Sequence, residues 1–255
     1  DEGGTMEVVD AHVHVGLTKQ AAVEVLVAQM NSAGIDKCLL VQYGGCHDNA
    51  YLDQCMRRYP GRFASLGAVD YSAADAGDRI RREVGEYGLA GLRIPAKTEN
   101  ESVWEAVGEL GIMASLSGGI EGIIDARTEG YIQRFSESMF RIEHMGWFPD
   151  VDKPTDQAEF DRVLSYAKYP NTVFMLSGFY AFGRGYPYKE IEPFVERALE
   201  AFGADRLMWG SDFPPVSLHE TVELALALPK TWSCLSEGDL EWVLGGTANR
   251  IFEFR

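Results

Sequence analysis

The chain contains no apolar run near the roughly 18 to 20 residues that a membrane-spanning helix needs. It also lacks a basic excess. Its 23 Lys and Arg face 39 Asp and Glu, a net charge of −16, and that balance repels nucleic acid and anionic lipid alike. No Cys-x-x-Cys pair occurs among Cys38, Cys46, Cys55 and Cys234, which fits reduced thiols better than a disulfide frame. Residues Asp1-Glu2-Gly3-Gly4-Thr5 show neither the basic nor the apolar part of a signal peptide. Together these absences predict a cytoplasmic protein with residues 1–6 as a loose tail, and with neither nucleic acid nor membrane as partner. There is no low-complexity segment, long linker or composition break, so one domain is expected over 1–255.

What is present begins with Val8-Val9-Asp10-Ala11-His12-Val13-His14-Val15. Four valines in eight residues suit a strand and suit a helix poorly. Strict alternation puts Asp10, His12 and His14 on one face and Val9, Ala11, Val13 and Val15 on the other. Two imidazoles aimed at one point suit a cation or an oxyanion. The alternative is a pair of core histidines bonded to backbone carbonyls.

The rest of the chain alternates strand-like and helix-like segments. Thr18 is the expected cap of a helix carrying Val23, Leu26, Val27 and Met30, with Gly34 just past its end. Seven further strands are expected: Lys37 to Gln42, Phe63 to Val69, Leu89 to Ile94, Ile112 to Leu116, Phe140 to His144, Thr172 to Gly178 and Arg206 to Asp212. Helices are expected at Ala76 to Tyr87, Thr128 to Ser138 and around Ile191, Phe194, Val195, Ala198, Leu199 and Phe202. Ser236-x-x-Asp239 reads as a capping box. Residues 179–188 read as an aromatic loop around Arg184, able to close over a site or to pack on a neighbouring subunit in a homo-oligomer.

This is the pattern of parallel βα units. An open doubly wound sheet would usually carry a glycine-rich phosphate loop after strand 1, where this chain has His-x-His. The expected fold is therefore α/β, a (β/α)8 TIM barrel, distorted if need be. Working residues of such a barrel sit at the C-terminal ends of strands. That rule collects His12, His14, Arg93, His144 and Asp212, with Ser177 and Tyr180 beside strand 7. His47 is expected at the surface and His219 outside the chemistry.

Several stretches together resemble a family. Asp-Ala-His-Val-His at 10–14, Glu-His-Met-Gly at 143–146, Tyr-Pro-Asn-Thr-Val-Phe-Met-Leu-Ser-Gly at 169–178, Leu-Met-Trp-Gly-Ser-Asp-Phe-Pro at 207–214 and Ala-Asn-Arg-Ile-Phe at 248–252 look like the amidohydrolase superfamily. They look most like its "amidohydrolase 2" branch, with lactonases of sugar lactones and pyrone dicarboxylates and related decarboxylases. The resemblance implies a catalytic set of His12, His14, His144 and Asp212. The departures matter too. Dinuclear members end strand 4 in a carboxylated lysine, whereas this strand offers Arg93, with Lys97 only beyond Pro95. Strand 5 has no histidine, Ser115 and Ser117 being the nearest polar groups, and strand 7 has Met175 where lactonase relatives often have lysine. A two-metal site is not expected. One divalent ion, zinc first, held by His12, His14 and Asp212, or no metal at all, both agree with the pattern.

The expected activity is hydrolysis of an ester, lactone or amide bond in a small, carboxylate-bearing substrate, with Asp212 as general base. Arg93, Arg127 and Arg184 are candidates to pair the substrate carboxylate, because a guanidinium forks onto two oxygens. A metal-dependent decarboxylase on the same scaffold and a non-catalytic ligand-binding barrel are the rivals.

Overall fold

The computed structural model describes residues 6–147 and 154–255, the side chains of 154–156 excepted. Residues 1–5 of the expected tail lie outside the described residues. Eight parallel strands follow one another around a nearly closed barrel: β1 Val9–Val13, β2 Lys37–Val41, β3 Phe63–Gly67, β4 Gly91–Pro95, β5 Met113–Ser117, β6 Phe140–Ile142, β7 Thr172–Leu176 and β8 Leu207–Trp209. This is the (β/α)8 fold that the alternating pattern predicted. Each strand pairs only with its chain neighbours, and helices cover the outside.

Two apolar layers hold the fold. Leu39, Val41, Ala64, Leu66, Val173, Met175 and Met208 pack inside the barrel with Val9 and Ala11. Leu40, Leu92, Trp104, Phe140, Phe174 and Trp209 pack outward with the apolar faces of the helices. Full burial of one such large side chain contributes about 1.5–3 kcal/mol. The helix Glu192–Phe202 shows the expected stripe, burying Phe194, Val195, Ala198 and Phe202. Among the described residues no helix is long and apolar enough to cross a membrane.

The β1–β8 seam is irregular, and that irregularity makes the site. The β1–β2 register runs Asp10 to Cys38 and then Val13 to Leu40, three residues against two, which is a β-bulge. One extra residue flips the alternation. Val9 and Ala11 face the barrel interior, Asp10 sides with Cys38 and Val13 with Leu40 against the outer layer, and His12 and His14 point inward. The expectation that Asp10 shares a face with the two histidines is thus corrected. Its carboxylate instead closes the seam, accepting from the Ser211 N–H at 2.8 Å where a regular ladder would supply a carbonyl. Higher up, Asp212 N–H donates to His12 O at 2.9 Å and His14 N–H to Phe213 O at 2.7 Å.

Other differences are local. The first helix starts at Val23 behind Ala22, not at Thr18, because residues Val15 and Ala21 form a bridge that takes the chain through a tight turn first. The expected helix from Thr128 to Ser138 runs instead over Ala126–Arg134, capped by the Asp125 carboxylate. Ser236 and Asp239 form the predicted capping box. The stretch 179–188 is partly helical, over Phe179–Phe182, and two of its aromatics are buried, Phe179 against Trp232 and Tyr188 with its hydroxyl on the Glu220 carboxylate, while Tyr186 is exposed.

Candidate active site

The C-terminal mouth of the barrel collects three imidazoles and one carboxylate, all nearly solvent-free: His12 at 0%, His14 and His144 at 4%, and Asp212 at 5% exposure. The bulged β1 supplies His12 and His14, with ring centroids 4.9 Å apart. β8 can press against them because residue 210 is glycine; a Cβ there would lie 2.7 Å from His12 Cβ. Past β8, Asp212 adopts a left-handed backbone, φ 61°. That conformation is uncommon for a side-chain-bearing residue and recurs where function fixes the geometry.

His144 arrives by another route. Alternation along β6 sends Arg141 and Glu143 inward, so a continued strand would turn His144 away. The strand stops at Ile142 instead, and His144, Met145, Gly146 and Trp147 all take positive φ, from 45° to 74°. This turn swings the His144 ring to 4.6 Å from that of His12. Gly178 makes room for it, since a Cβ there would meet His144 Nδ1 at 2.9 Å, and Ser177 Oγ bonds Nδ1 at 2.9 Å.

The hydrogen-bond partners fix what each ring can do. His14 Nδ1 lies 2.7 Å from Val41 O, and a carbonyl only accepts, so Nδ1 of His14 carries a proton and Nε2 is the atom turned into the mouth. His12 Nδ1 lies 3.1 Å from Arg141 Nη2, and a guanidinium only donates. Neutral His12 therefore carries its proton on Nε2, 3.7 Å from Asp212 Oδ1. His14 Nε2 approaches the same oxygen at 3.1 Å, out of line for a hydrogen bond. His12 Nε2 and Asp212 Oδ1 are buried without a hydrogen-bond partner. Two neighbouring histidines thus turn their Nε2 atoms toward one carboxylate oxygen.

Burial first, then the neighbouring His144, His14 and Arg141, pushes the His12 pKa well below the ordinary imidazole value. Burial also lowers His144, against the opposing pull of Asp212 and Glu143. For Asp212 burial acts upward, but His144, His14 and the Tyr180 hydroxyl outweigh it and hold the pKa at about 2. Tyr180 donates to Asp212 Oδ2 at 2.5 Å and stacks on His219. His219, expected to be outside the chemistry, backs the tyrosine that holds the carboxylate.

Beneath lies a charged network that the sequence reading missed. Glu143, fully buried, accepts from Arg93 Nε at 3.0 and 3.2 Å and from Ser115 Oγ at 2.6 Å. Arg141, also fully buried, donates Nε–H to Ser115 Oγ at 2.9 Å and reaches Ala11 O across the barrel. Burial works to raise Glu143, yet the two guanidinium groups bring its pKa below the ordinary value. The signal was available. The alternation of Phe140 to Glu143 alone puts Arg141 and Glu143 on the inner face.

Six predicted residues converge here: His12, His14, His144, Asp212, Ser177 and Tyr180. Arg93 stands at the wall, its guanidinium forked onto Glu143, and borders a cavity of about 280 Å3 lined also by Tyr43, His47, Asp70, Ser72 and Ser117. Arg127 is not brought in. It sits half-exposed on the outer helix, paired with Glu99 at 2.7 Å and Asp125 at 3.2 Å. Arg184 stands exposed in the loop, its backbone N–H bonded to Glu190.

For a metal ion, His12, His144 and Asp212 each place one ligand atom within 4.8 Å of the others. The expected set had His14 in place of His144. Both sets need a lone pair on His12 Nε2, and the Arg141 contact implies a proton there, so neither three-ligand set fits the tautomer that this contact implies.

Residues 9–254 match the model of a family described as amidohydrolase. Over 114 residues the chain is 32% identical to an L-fucono-1,5-lactonase of Burkholderia multivorans, a match covering 37% of this chain. The matched part spans 38% of that enzyme's length. In structure the chain is similar to a putative 2-pyrone-4,6-dicarboxylic acid hydrolase from Pseudomonas putida, with TM-score 0.81, 22% identity and 98% of each chain covered. It is also similar to an amidohydrolase from Burkholderia multivorans with bound zinc, with TM-score 0.80, 22% identity, and 96% of this chain and 98% of that one covered. At such identity the two structures speak for the fold.

Proposed function

The chain belongs to the amidohydrolase family and is an enzyme of it, and from that premise we propose that it hydrolyses the ester bond of a small lactone or ester. One observation carries the reading: His12 Nε2 and Asp212 Oδ1 face each other in the mouth, buried and without hydrogen-bond partners. Asp212 Oδ1 is an acceptor that suits a proton of the attacking water. Opposite it, His12 Nε2–H suits the carbonyl oxygen of a substrate, and His144 can add a second N–H. As water attacks, the carbonyl oxygen becomes an oxyanion and draws on those donors, each worth roughly 3 kcal/mol in a water-excluded site. The water's proton passes to Asp212, with Tyr180 steadying the carboxylate; collapse of the oxyanion then breaks the acyl carbon–oxygen bond, and the same proton goes on to the departing alkoxide, leaving acid and alcohol. No step is routed through a metal ion, because His12 does not present a lone pair.

The neighbouring cavity of about 280 Å3 suits a small molecule. Arg93 borders it and uses three of its five N–H groups on Glu143 and Gln42, which leaves two for a substrate carboxylate. The lactonase similarity over part of the chain supports the ester or lactone class. The test is product analysis on a panel of lactones and carboxylate esters, with and without a metal chelator. Ring opening or ester cleavage that survives the chelator is the expected result. Release of carbon dioxide would make the chain a decarboxylase, and binding without turnover a ligand-binding barrel.

A further inference from the structure

We propose that Arg141 is a positioning residue that holds His12 as the Nε2–H tautomer, making it a hydrogen-bond donor at the mouth and disqualifying it as a metal ligand. The guanidinium crosses the barrel from β6 to β1, donating to Ala11 O and lying 3.1 Å from His12 Nδ1. All five of its N–H groups are donors, so His12 Nδ1 can meet it only as an acceptor. A protonated Nδ1, which an Nε2-bound metal needs, would set donor against donor inside a buried contact. The far side of the ring agrees. Nε2 is buried, lacks a hydrogen-bond partner and faces the unpartnered Asp212 Oδ1 at 3.7 Å.

The neighbouring strands explain why Arg141 fits. In register beside it on β5 is Ser115, whose small side chain leaves space for the guanidinium and whose Oγ receives Arg141 Nε–H. Glu143 and Arg93 complete the charge balance around it. Even with burial bringing its pKa down to about 10, Arg141 stays charged at neutral pH and keeps its donors. On the same strand His14, with Nδ1 on a carbonyl, is fixed the other way. The two rings at the end of β1 therefore differ in the state of Nδ1, each set by a partner from a different strand.

The test reads the tautomers and the metal affinity directly. In a 15N-labelled wild-type protein, long-range proton–nitrogen correlation should show an unprotonated Nδ1 and protonated Nε2 on His12, and a protonated Nδ1 on His14. Assignments come from single substitutions of the histidines. Zinc titrated into the wild type should bind weakly, and a folded Arg141→Met variant should bind it about 10- to 100-fold more tightly. Protonated Nδ1 on wild-type His12 would overturn the proposal, as would equal zinc affinity in wild type and folded variant. If the variant does not fold, the wild-type spectrum still decides. Neither measurement uses a substrate, so failure of the hydrolase reading would leave this result standing, and the converse.

Discussion

The β4–β6 side of the barrel mouth and the β1–β8 side hold similar groups in opposite conditions. On the first, Glu143 and Ser115 spend their polar atoms on Arg93 and Arg141, and Arg141 spends its other donors on Ala11 O and the His12 ring. On the second, the bulge in β1 and the left-handed turn at Asp212 leave His12 Nε2 and Asp212 Oδ1 buried and without hydrogen bonds. A buried unsatisfied polar atom costs about 1–3 kcal/mol. A fold that keeps two of them facing each other has a use for the gap between them. The first side is held together by its own charge pairs, and the second keeps the donor and the acceptor that the hydrolysis we propose would use.

The sharpest way to break this comparison is to remove the keystone of the first side. Glu143→Ala would leave two buried guanidinium groups short of their partner, and denaturant unfolding should show a loss of about 3–5 kcal/mol. A loss under about 1 kcal/mol would mean that the network is not what holds that side together.

Next comes the second side, where the effect should fall on turnover. Asp212→Asn keeps the shape and removes the charge, so turnover should drop at least about a hundredfold while the variant still folds. Near-normal activity in a well-folded variant would take Asp212 out of the mechanism. The same pair has a pH signature. The folded-state pKa of about 2 lies below the ordinary 3.8, so the ionised carboxylate favours the fold. That contribution is fully present above about pH 4 and is lost as pH falls from about 4 to about 2. The Asn variant should have a flatter stability profile over that window.

A smaller effect is expected at Tyr180. Tyr180→Phe removes one donor from Asp212 and should lower turnover about tenfold, a change of about 1.4 kcal/mol. Unchanged turnover would reduce Tyr180 to a packing role.

The smallest effects belong to the two arginines outside the cluster. Arg127→Ala breaks exposed pairs worth under about 1 kcal/mol and should leave KM unchanged. Arg184→Ala should act alike on an anionic substrate and on its neutral ester. A strong rise in KM for the anion alone would bring the 179–188 loop back as a closing lid.

Much of this was legible from local pattern. Valine-rich β1, the apolar stripe of 192–202 and the Ser236–Asp239 box each report interactions among residues close in sequence, and each is found as read. Asp212 at the end of β8 followed from where a parallel barrel keeps its working residues. His144 joined the site as expected but by a left-handed turn that no periodicity announces, since only contacts with β7 and β1 stabilise it.

By itself, then, the sequence determined the eight βα units and the four polar residues delivered to one mouth, because strand and helix periods are written into neighbouring positions. Only the tertiary structure decided the bulge that parts Asp10 from His12, the partners of the two histidine rings, the burial of Arg141 and Glu143 and the placement of Arg127 on the outside. Those depend on partners brought together by barrel closure, such as Arg141 and Ala11, 130 positions apart. A hydrogen-bond partner that far along the chain leaves no periodic trace in the sequence.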